Sequence, residues 1–169
     1  MLDTEYVNYS FGKLHDVMKG VLLKLKKRNY PFEQVLILGY GGGSAAQIIH
    51  EEINPDAQIV GVELDTEIVD LSEKYFYKRD VKILNEDAFL YVQRAVNQEW
   101  EYDTIIVDVF ENQYQPNWDD AFWLNVKMLL NPNGVGILNT MLDDQQFRKI
   151  GEELQSFGFI VQEWNEIRE

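Results

Sequence analysis

The sequence predicts an α/β protein: a doubly wound, mostly parallel sheet of about six strands with helices on both faces. Three observations carry this. Short continuous apolar runs, such as Val35–Leu38 and Thr104–Val109, have the composition of strands buried on both faces. Stretches with apolar residues at helical spacing alternate with these runs, as crossover helices do in parallel sheets. The first run enters a glycine cluster, Gly39-Tyr40-Gly41-Gly42-Gly43, and a helical pattern (Ala45, Ala46, Ile48, Ile49) follows at once. Four glycines in five positions exceed what a plain strand-to-helix turn requires. They allow positive φ and a closer backbone approach than a Cβ permits.

The elements follow in order. Residues 10–28 form an amphipathic helix, with Leu14, Val17, Val21, Leu22 and Leu25 on one face. Its basic end, Lys24 to Arg28, suits the negative pole of its own dipole, and Asn29-Tyr30-Pro31 stops it. Val35–Leu38 is the first strand. Ser44–Glu52 is the first crossover helix, halted by Asn54-Pro55. Gln58–Leu64 is the second strand, and Asp65 caps a helix over 66–77. Val81–Leu84 is a short third strand, followed by a helix over 86–97. Thr104–Val109 is the fourth strand, residues 110–117 a polar and aromatic loop, and Trp118–Leu130 a helix. Asn131-Pro132-Asn133-Gly134 is a turn into a fifth strand, Val135–Thr140. Asp143 and Gln146 form a capping box for a helix over 144–156, with Gly158 beyond its end. Phe159–Trp164 is the final strand. Residues 1–169 read as a single domain, with 1–30 as an amino-terminal helical extension.

Bulk properties exclude several classes. A hydrophobic content of 46% rules out a disordered chain. No apolar run reaches the roughly 20 residues of a membrane span, and the polar, acidic start Met1–Ser10 is no secretory signal. With no cysteine, thiol catalysis and thiolate metal sites are excluded, and the expected location is the cytoplasm. The net charge is −14, and residues 1–30 are net basic, so the remainder is more acidic still. Such a body repels phosphate backbones, so no nucleic-acid partner is expected, and no membrane partner either. His15 and His50 stand isolated in helices away from the strand ends, and no metal site is expected.

In open α/β sheets ligands bind beyond the carboxyl ends of the strands. The first strand ends in the glycine cluster, and the second in Glu63, whose carboxylate suits the two hydroxyls of a ribose. The third ends at Asn85-Glu86-Asp87, where a carboxylate reaches an adenine amino group. The fourth ends at Asp108. Gly41, Gly43 and Ala46 formally satisfy the dinucleotide fingerprint. Gly39-x-Gly41-x-Gly43 fits better the turn of binders of S-adenosylmethionine, a ligand with no pyrophosphate.

Together, Val35–Ser44, Val62-Glu63-Leu64-Asp65, Glu86-Asp87-Ala88-Phe89 and Asp108-Val109-Phe110 with Pro116 resemble the spermidine synthase family, over roughly residues 33–140. They are most similar to its methyltransferase-like relatives among the class I S-adenosylmethionine-dependent enzymes. The resemblance implies a Rossmann-like class I methyltransferase fold and S-adenosylmethionine or its decarboxylated form as ligand. It implies a site in which Gly39, Tyr40, Gly41, Gly42 and Gly43 line the ligand. Glu63 would bind the ribose and Asp87 meet the adenine, with Leu64 and Ala88 also among the ligand-binding residues. Asp108, expected also among the ligand-binding residues, matches the aspartate that orients and deprotonates the attacking amine in aminopropyltransferases, and Glu111, where they carry a second aspartate, is the other expected catalytic residue. The lid is expected over 110–118, where Phe110, Tyr114 and Trp118 suit an onium or amine ligand.

Two positions depart from the aminopropyltransferase pattern. Gly42 replaces an aspartate of the glycine loop, and Glu111 puts a carboxylate on a longer stem. Neither the family's amino-terminal β-domain nor a seventh, antiparallel strand is expected in this chain. The uncovered sheet edge is a liability commonly met by pairing with a second copy, so a homodimer is an expected partner state. The expected activity is methyl transfer to a small-molecule acceptor, with an amine as one candidate. The alternatives are aminopropyl transfer, or a non-catalytic module that binds adenosyl ligands.

Overall fold

The computed structural model describes residues 13–76, 79–109, 119–140 and 144–162. Five strands are formed among them: β1 (Gln34–Leu38), β2 (Gln58–Glu63), β3 (Val81–Asn85), β4 (Tyr102–Val107) and β5 (Leu130–Leu138). Six α-helices accompany them: α1 (Lys13–Lys27), α2 (Ser44–Ile48), α3 (Thr66–Tyr75), α4 (Ala88–Asn97), α5 (Asp120–Leu129) and α6 (Asp144–Ser156). All strand pairs are parallel and the order is β3-β2-β1-β4-β5. The chain therefore moves outward from β1 in one direction, then returns to β1's other side with β4. Crevices open at that reversal, beyond the carboxyl ends of β1 and β4.

Alternation along the strands divides the core into two layers. Val35 and Ile37 of β1, Ile59 of β2, Ile106 of β4 and Ile137 of β5 pack with Met18, Leu22 and Leu25 of α1 and with Ala46, Ile48 and Ile49. Leu36, Leu38, Val62, Ile105 and Val107 point the other way, onto Tyr91 and Val92 of α4, Phe122 and Val126 of α5, and Ile150 of α6. Both faces of the sheet are thus covered, which is why its strands read as unbroken apolar runs. No helix among the described residues is long and apolar enough to cross a membrane.

Several boundaries are refined. Asp65 caps α3, accepting hydrogen bonds from the backbone N–H groups of Glu67 and Ile68. Asn29 ends α1 in the left-handed region at φ +59°. The crossover after the glycine turn is not one α-helix. After Ile48 it widens into a π-helical segment over Ile49–Ile53, and the N–H of Asn54 reaches back to the carbonyl of Ile49. The wider turn carries His50 into the core, where its Nε2 is hydrogen-bonded to the Ala57 carbonyl at 2.9 Å. That histidine is structural, as expected.

The turn at 131–134 lies within β5 rather than before it. Leu130 pairs with Tyr102, and pairing resumes at Val135 with Thr104, so the intervening residues bulge from the ladder. Pro132 cannot donate to a ladder, and a bulge is where a strand tolerates it. Asn131 anchors the bulge by donating through Nδ2 to Asp103 Oδ1 at 2.7 Å.

The sixth strand expected over Phe159–Trp164 is not formed over 159–162, and the rest lies outside the described residues. A strand needs a ladder partner, and here side chains hold the segment instead. Lys127 of α5 donates to the Gly158 carbonyl at 3.0 Å and sits over the Phe159 ring. The capping Asp143 also lies outside the described residues, although α6 itself forms as expected.

One polar pair inside the second layer is a test of its packing. The Tyr91 and Tyr102 hydroxyls are buried and hydrogen-bonded to each other at 2.5 Å. Tyr102→Phe strands the Tyr91 hydroxyl, so denaturant unfolding should show a loss of about 1–3 kcal/mol. Replacing both tyrosines by Phe should cost less than the single change, because no orphaned hydroxyl remains.

Candidate functional site

The carboxyl ends of β2, β1 and β4 stand level, with Leu38 in register with both Val62 and Val107. Backbone bonds continue the sheet past these ends. The N–H groups of Gly39 and Tyr40 both donate to the Val62 carbonyl, and that of Asp108 donates to the Leu38 carbonyl. The glycine turn is therefore laced to β2 on one side and β4 on the other. Gly39, Gly41 and Gly43 have φ of +84°, +54° and +77°, a region L side chains rarely adopt. At Gly39 a second reason applies. A Cβ there would lie 2.1 Å from the Asp108 carbonyl oxygen. Close approach of β1 and β4 and a left-handed turn require glycine at the same position.

Glu63 closes on this turn. Its Oε2 accepts from the Gly41 N–H at 2.9 Å and its Oε1 from the Asp65 N–H at 3.1 Å. The peptide of Gly41 is gripped from its other side too, by the Ser72 hydroxyl of α3, which donates to its carbonyl at 2.5 Å. Asn85 at the end of β3 donates to the carbonyls of both Glu63 and Leu64, and accepts from Thr66. The loop after β2 is held from three elements. Leu64 is left 67% exposed beside the Glu63 carboxylate, an apolar surface next to a polar anchor.

Asp87 caps α4, its Oδ1 accepting from the Leu90 N–H at 3.0 Å. Ala88 is buried as the first residue of that helix and belongs to the core. Tyr40 is buried as well. Its ring lies across Gly61 of β2, where a Cβ would meet Tyr40 Cδ2 at 2.3 Å. Tyr40 thus lines the turn with its backbone while its ring packs the core.

Asp108 follows β4 directly. Its Oδ1 accepts from Asn139 Nδ2 at 2.8 Å, across from the end of β5. Burial pushes its carboxyl up to about 6 from 3.8, the Asn139 hydrogen bond opposes that rise, and the Glu63 charge adds to it. A carboxyl with this affinity for a proton is ionised at neutral pH yet is a far better proton acceptor than an ordinary aspartate. Glu111, Phe110, Tyr114, Pro116 and Trp118 lie outside the described residues.

Of the residues expected from the sequence, the structure brings together the glycine turn, Glu63, Leu64 and Asp108, with Asp87 one strand further out. Three more residues belong to this assembly. Asn139 was open to discovery, because it stands where the fifth strand ends and the test applied to the other four ends applies there. Ser72, a small hydroxyl inside a helix, carries no such signal. His15 is a correction. Rather than lying away from the strand ends, its Nδ1 is hydrogen-bonded at 2.6 Å to the hydroxyl of Ser44, the residue that leaves the glycine turn.

Sheet order, glycine turn and strand-end acids define a Rossmann-like class I methyltransferase fold. The human methyltransferase-like protein 13 in complex with SAH superposes with a TM-score of 0.68 at 24% identity, covering 86% of this chain and 73% of that one. The chain belongs to the spermine/spermidine synthase family: the model of the spermine/spermidine synthase domain matches residues 14–164. A polyamine aminopropyltransferase of Vibrio vulnificus is 33% identical over 113 residues, which cover 64% of this chain and 38% of the relative. The eEF1A lysine and N-terminal methyltransferase of Xenopus laevis is 31% identical over 126 residues, or 68% of this chain and 18% of that protein. The chain thus spans less than half the length of these two relatives. The family is one of transferases, and its named members divide between two reactions.

Proposed function

We propose that this chain is an S-adenosylmethionine-dependent transferase that moves a methyl group to the nitrogen of a small-molecule amine. The observation that carries the reading is Asp108, a carboxyl of raised proton affinity at the mouth of a glycine turn whose other wall is Glu63. The residues fit an adenosyl ligand. Glu63 offers a fixed carboxylate to a ribose, Leu64 an exposed apolar surface to a purine face, and Asp87 a polar group further along. The bound donor supplies an electrophilic methyl on a sulfonium. With the donor bound, the acceptor's amine lone pair would form the C–N bond as the S–C bond breaks, leaving that bond's electron pair on sulfur.

Through Oδ2, Asp108 takes the proton released by the amine, since Asn139 occupies Oδ1. Methyl transfer is preferred over aminopropyl transfer because residue 42 is glycine, where the resemblance to the aminopropyltransferases implies an aspartate. A decarboxylated donor ends in an ammonium with no carboxylate, and an acid in the turn suits it. An acid-free turn suits the intact donor. The second reading, aminopropyl transfer, is supported by the Vibrio vulnificus relative and by the same Asp108.

Calorimetry with S-adenosylmethionine, S-adenosylhomocysteine and methylthioadenosine tests the ligand. Binding by the first two is expected, and heat from none of the three at millimolar concentration sinks the reading. Turnover is then compared across an amine panel with labelled S-adenosylmethionine, and with decarboxylated donor plus putrescine. Release of methylthioadenosine from the second pair alone transfers the protein to the aminopropyl reaction.

A further inference from the structure

The acids of the proposed site leave one part of its ligand unaccounted for. Glu63, Asp87 and Asp108 suit hydroxyls, an amino group and cationic centres, and the whole chain carries −14. The intact donor also has an α-carboxylate, which such a surface repels and which needs hydrogen-bond donors. A candidate pair stands at the exit of the glycine turn. His15 Nδ1 and Ser44 Oγ are 2.6 Å apart, both residues are partly buried, and the contact links positions 29 apart in the chain.

This contact is not an accident of a loose terminus. Met18, Leu22 and Leu25 bury one face of α1 in the core. Lys19 on the following turn pairs with Glu52 at 2.6 Å, and Lys26 donates to the Glu52 carbonyl at 2.6 Å. The helix is therefore clamped along the crossover element, and His15 is delivered to Ser44 by a rigid lever. Ser44 directly follows Gly43, whose left-handed φ of +77° makes the turn out of which the residue emerges. The N-cap of α2 is Gly43, which has no side chain, so Ser44 carries the first side chain after the turn.

We propose that His15 and Ser44 form a carboxylate-recognition subsite that makes the protein select the intact donor over its decarboxylated form. The 2.6 Å contact joins the ring to the hydroxyl; with Nδ1 protonated, the imidazole donates to the Ser44 oxygen and leaves the hydroxyl hydrogen for the α-carboxylate. His15 is the positioning residue and Ser44 the contacting one. This rests on the adenosyl-ligand reading above and adds what decides between its two reactions. Gly42 removes a repelling acid from the turn, and His15 with Ser44 provides the attraction.

The test is calorimetry on the full chain and on His15→Ala, Ser44→Ala, the double variant and Ser44→Thr. The ligands are S-adenosylhomocysteine, which has the carboxylate, and methylthioadenosine and decarboxylated S-adenosylmethionine, which lack it. Each alanine variant should weaken S-adenosylhomocysteine by about 10- to 100-fold, the range of a hydrogen bond to a charged group. The same variants should leave the two ligands without a carboxylate within about twofold. The double variant should be little worse than either single one, because the two side chains act as one relay, and Ser44→Thr should retain binding.

Unchanged S-adenosylhomocysteine affinity in His15→Ala overturns the inference. So does an equal fall for S-adenosylhomocysteine and methylthioadenosine, which marks a structural role for the contact. A wild-type protein that binds methylthioadenosine but shows no preference for the carboxylated ligand overturns this subsite alone. A wild type that binds none of the ligands overturns the adenosyl reading and the subsite together.

Discussion

Asp108→Asn should abolish turnover while making the protein more stable at neutral pH. The carboxyl proposed to accept the amine proton is lost, and general-base catalysis of this kind contributes about 10²- to 10⁴-fold. Affinity for the adenosyl part of the ligand should change less than turnover, since the contacts proposed for it lie on Glu63, Leu64 and Asp87. The stability gain follows from the direction of the shift. The folded protein holds a proton on Asp108 up to about 6, whereas an unfolded aspartate releases it near 3.8. Between these values the folded state binds more protons than the unfolded one, so stability falls as pH rises through that window. Above it the whole penalty is present, on the order of 2–3 kcal/mol, and below about pH 4 it vanishes.

The asparagine carries no charge, and its carbonyl can still accept from Asn139 Nδ2, so it avoids that penalty. Thermal melts should therefore separate variant from wild type by several degrees at pH 7 and converge near pH 4. Equal melting at both pH values would show that the carboxyl is not strained by burial. The wild-type rate should rise as pH increases through about 6, where Asp108 ionises. Asn139→Ala removes a hydrogen bond that lowers the Asp108 proton affinity, so the acidic limb of that profile should move to higher pH. A limb that stays in place would detach Asn139 from the chemistry.

Gly39→Ala should be the most damaging methyl group that can be added to the turn. Two costs combine: a left-handed φ of +84° and a Cβ placed 2.1 Å from the Asp108 carbonyl oxygen and 2.7 Å from its carbon. Those are backbone atoms, already bonded to β1 through the Asp108 N–H, so no rotamer change relieves the overlap. Gly158→Ala is the matched control, with φ +82° and open space around the added methyl. The control isolates the conformational cost, about 1–2 kcal/mol. Gly39→Ala should lose about 3 kcal/mol or more in denaturant unfolding. At Gly39 the overlap also pushes apart the two strand ends that carry the site, so adenosyl-ligand binding should fall at least about 100-fold, roughly 2.7 kcal/mol. Equal stability losses in the two variants would remove close approach of β1 and β4 as the reason for the glycine.

Much of this could be read before any coordinates. β1, β2 and β4 are buried on both faces, so their apolar runs mark them with few alternatives, and the glycine cluster marks the turn between β1 and α2. Glu63, Asp87 and Asp108 were found by asking what stands at the end of each strand, a question that requires only the order of elements. The π-helical segment over Ile49–Ile53 was not legible, because an apolar pattern does not distinguish a helix that widens by one residue per turn. Nor was the bulge at Asn131–Gly134, where Pro132 reads as a turn and the partner Asp103 is distant in sequence.

The division has a physical basis. By itself the sequence determined the parallel sheet, the glycine turn and the acids beside it, because burial periodicity and backbone freedom are local properties of the chain. Only the tertiary structure decided which donors meet which acceptors: Asn139 on Asp108, Ser72 on Gly41, His15 on Ser44. Each of those contacts joins elements far apart in sequence, and its direction depends on how helices and strands pack. The proton affinity of Asp108 belongs to the same class, since desolvation by surrounding elements sets it. The sequence named the acid, and packing raised its affinity for a proton.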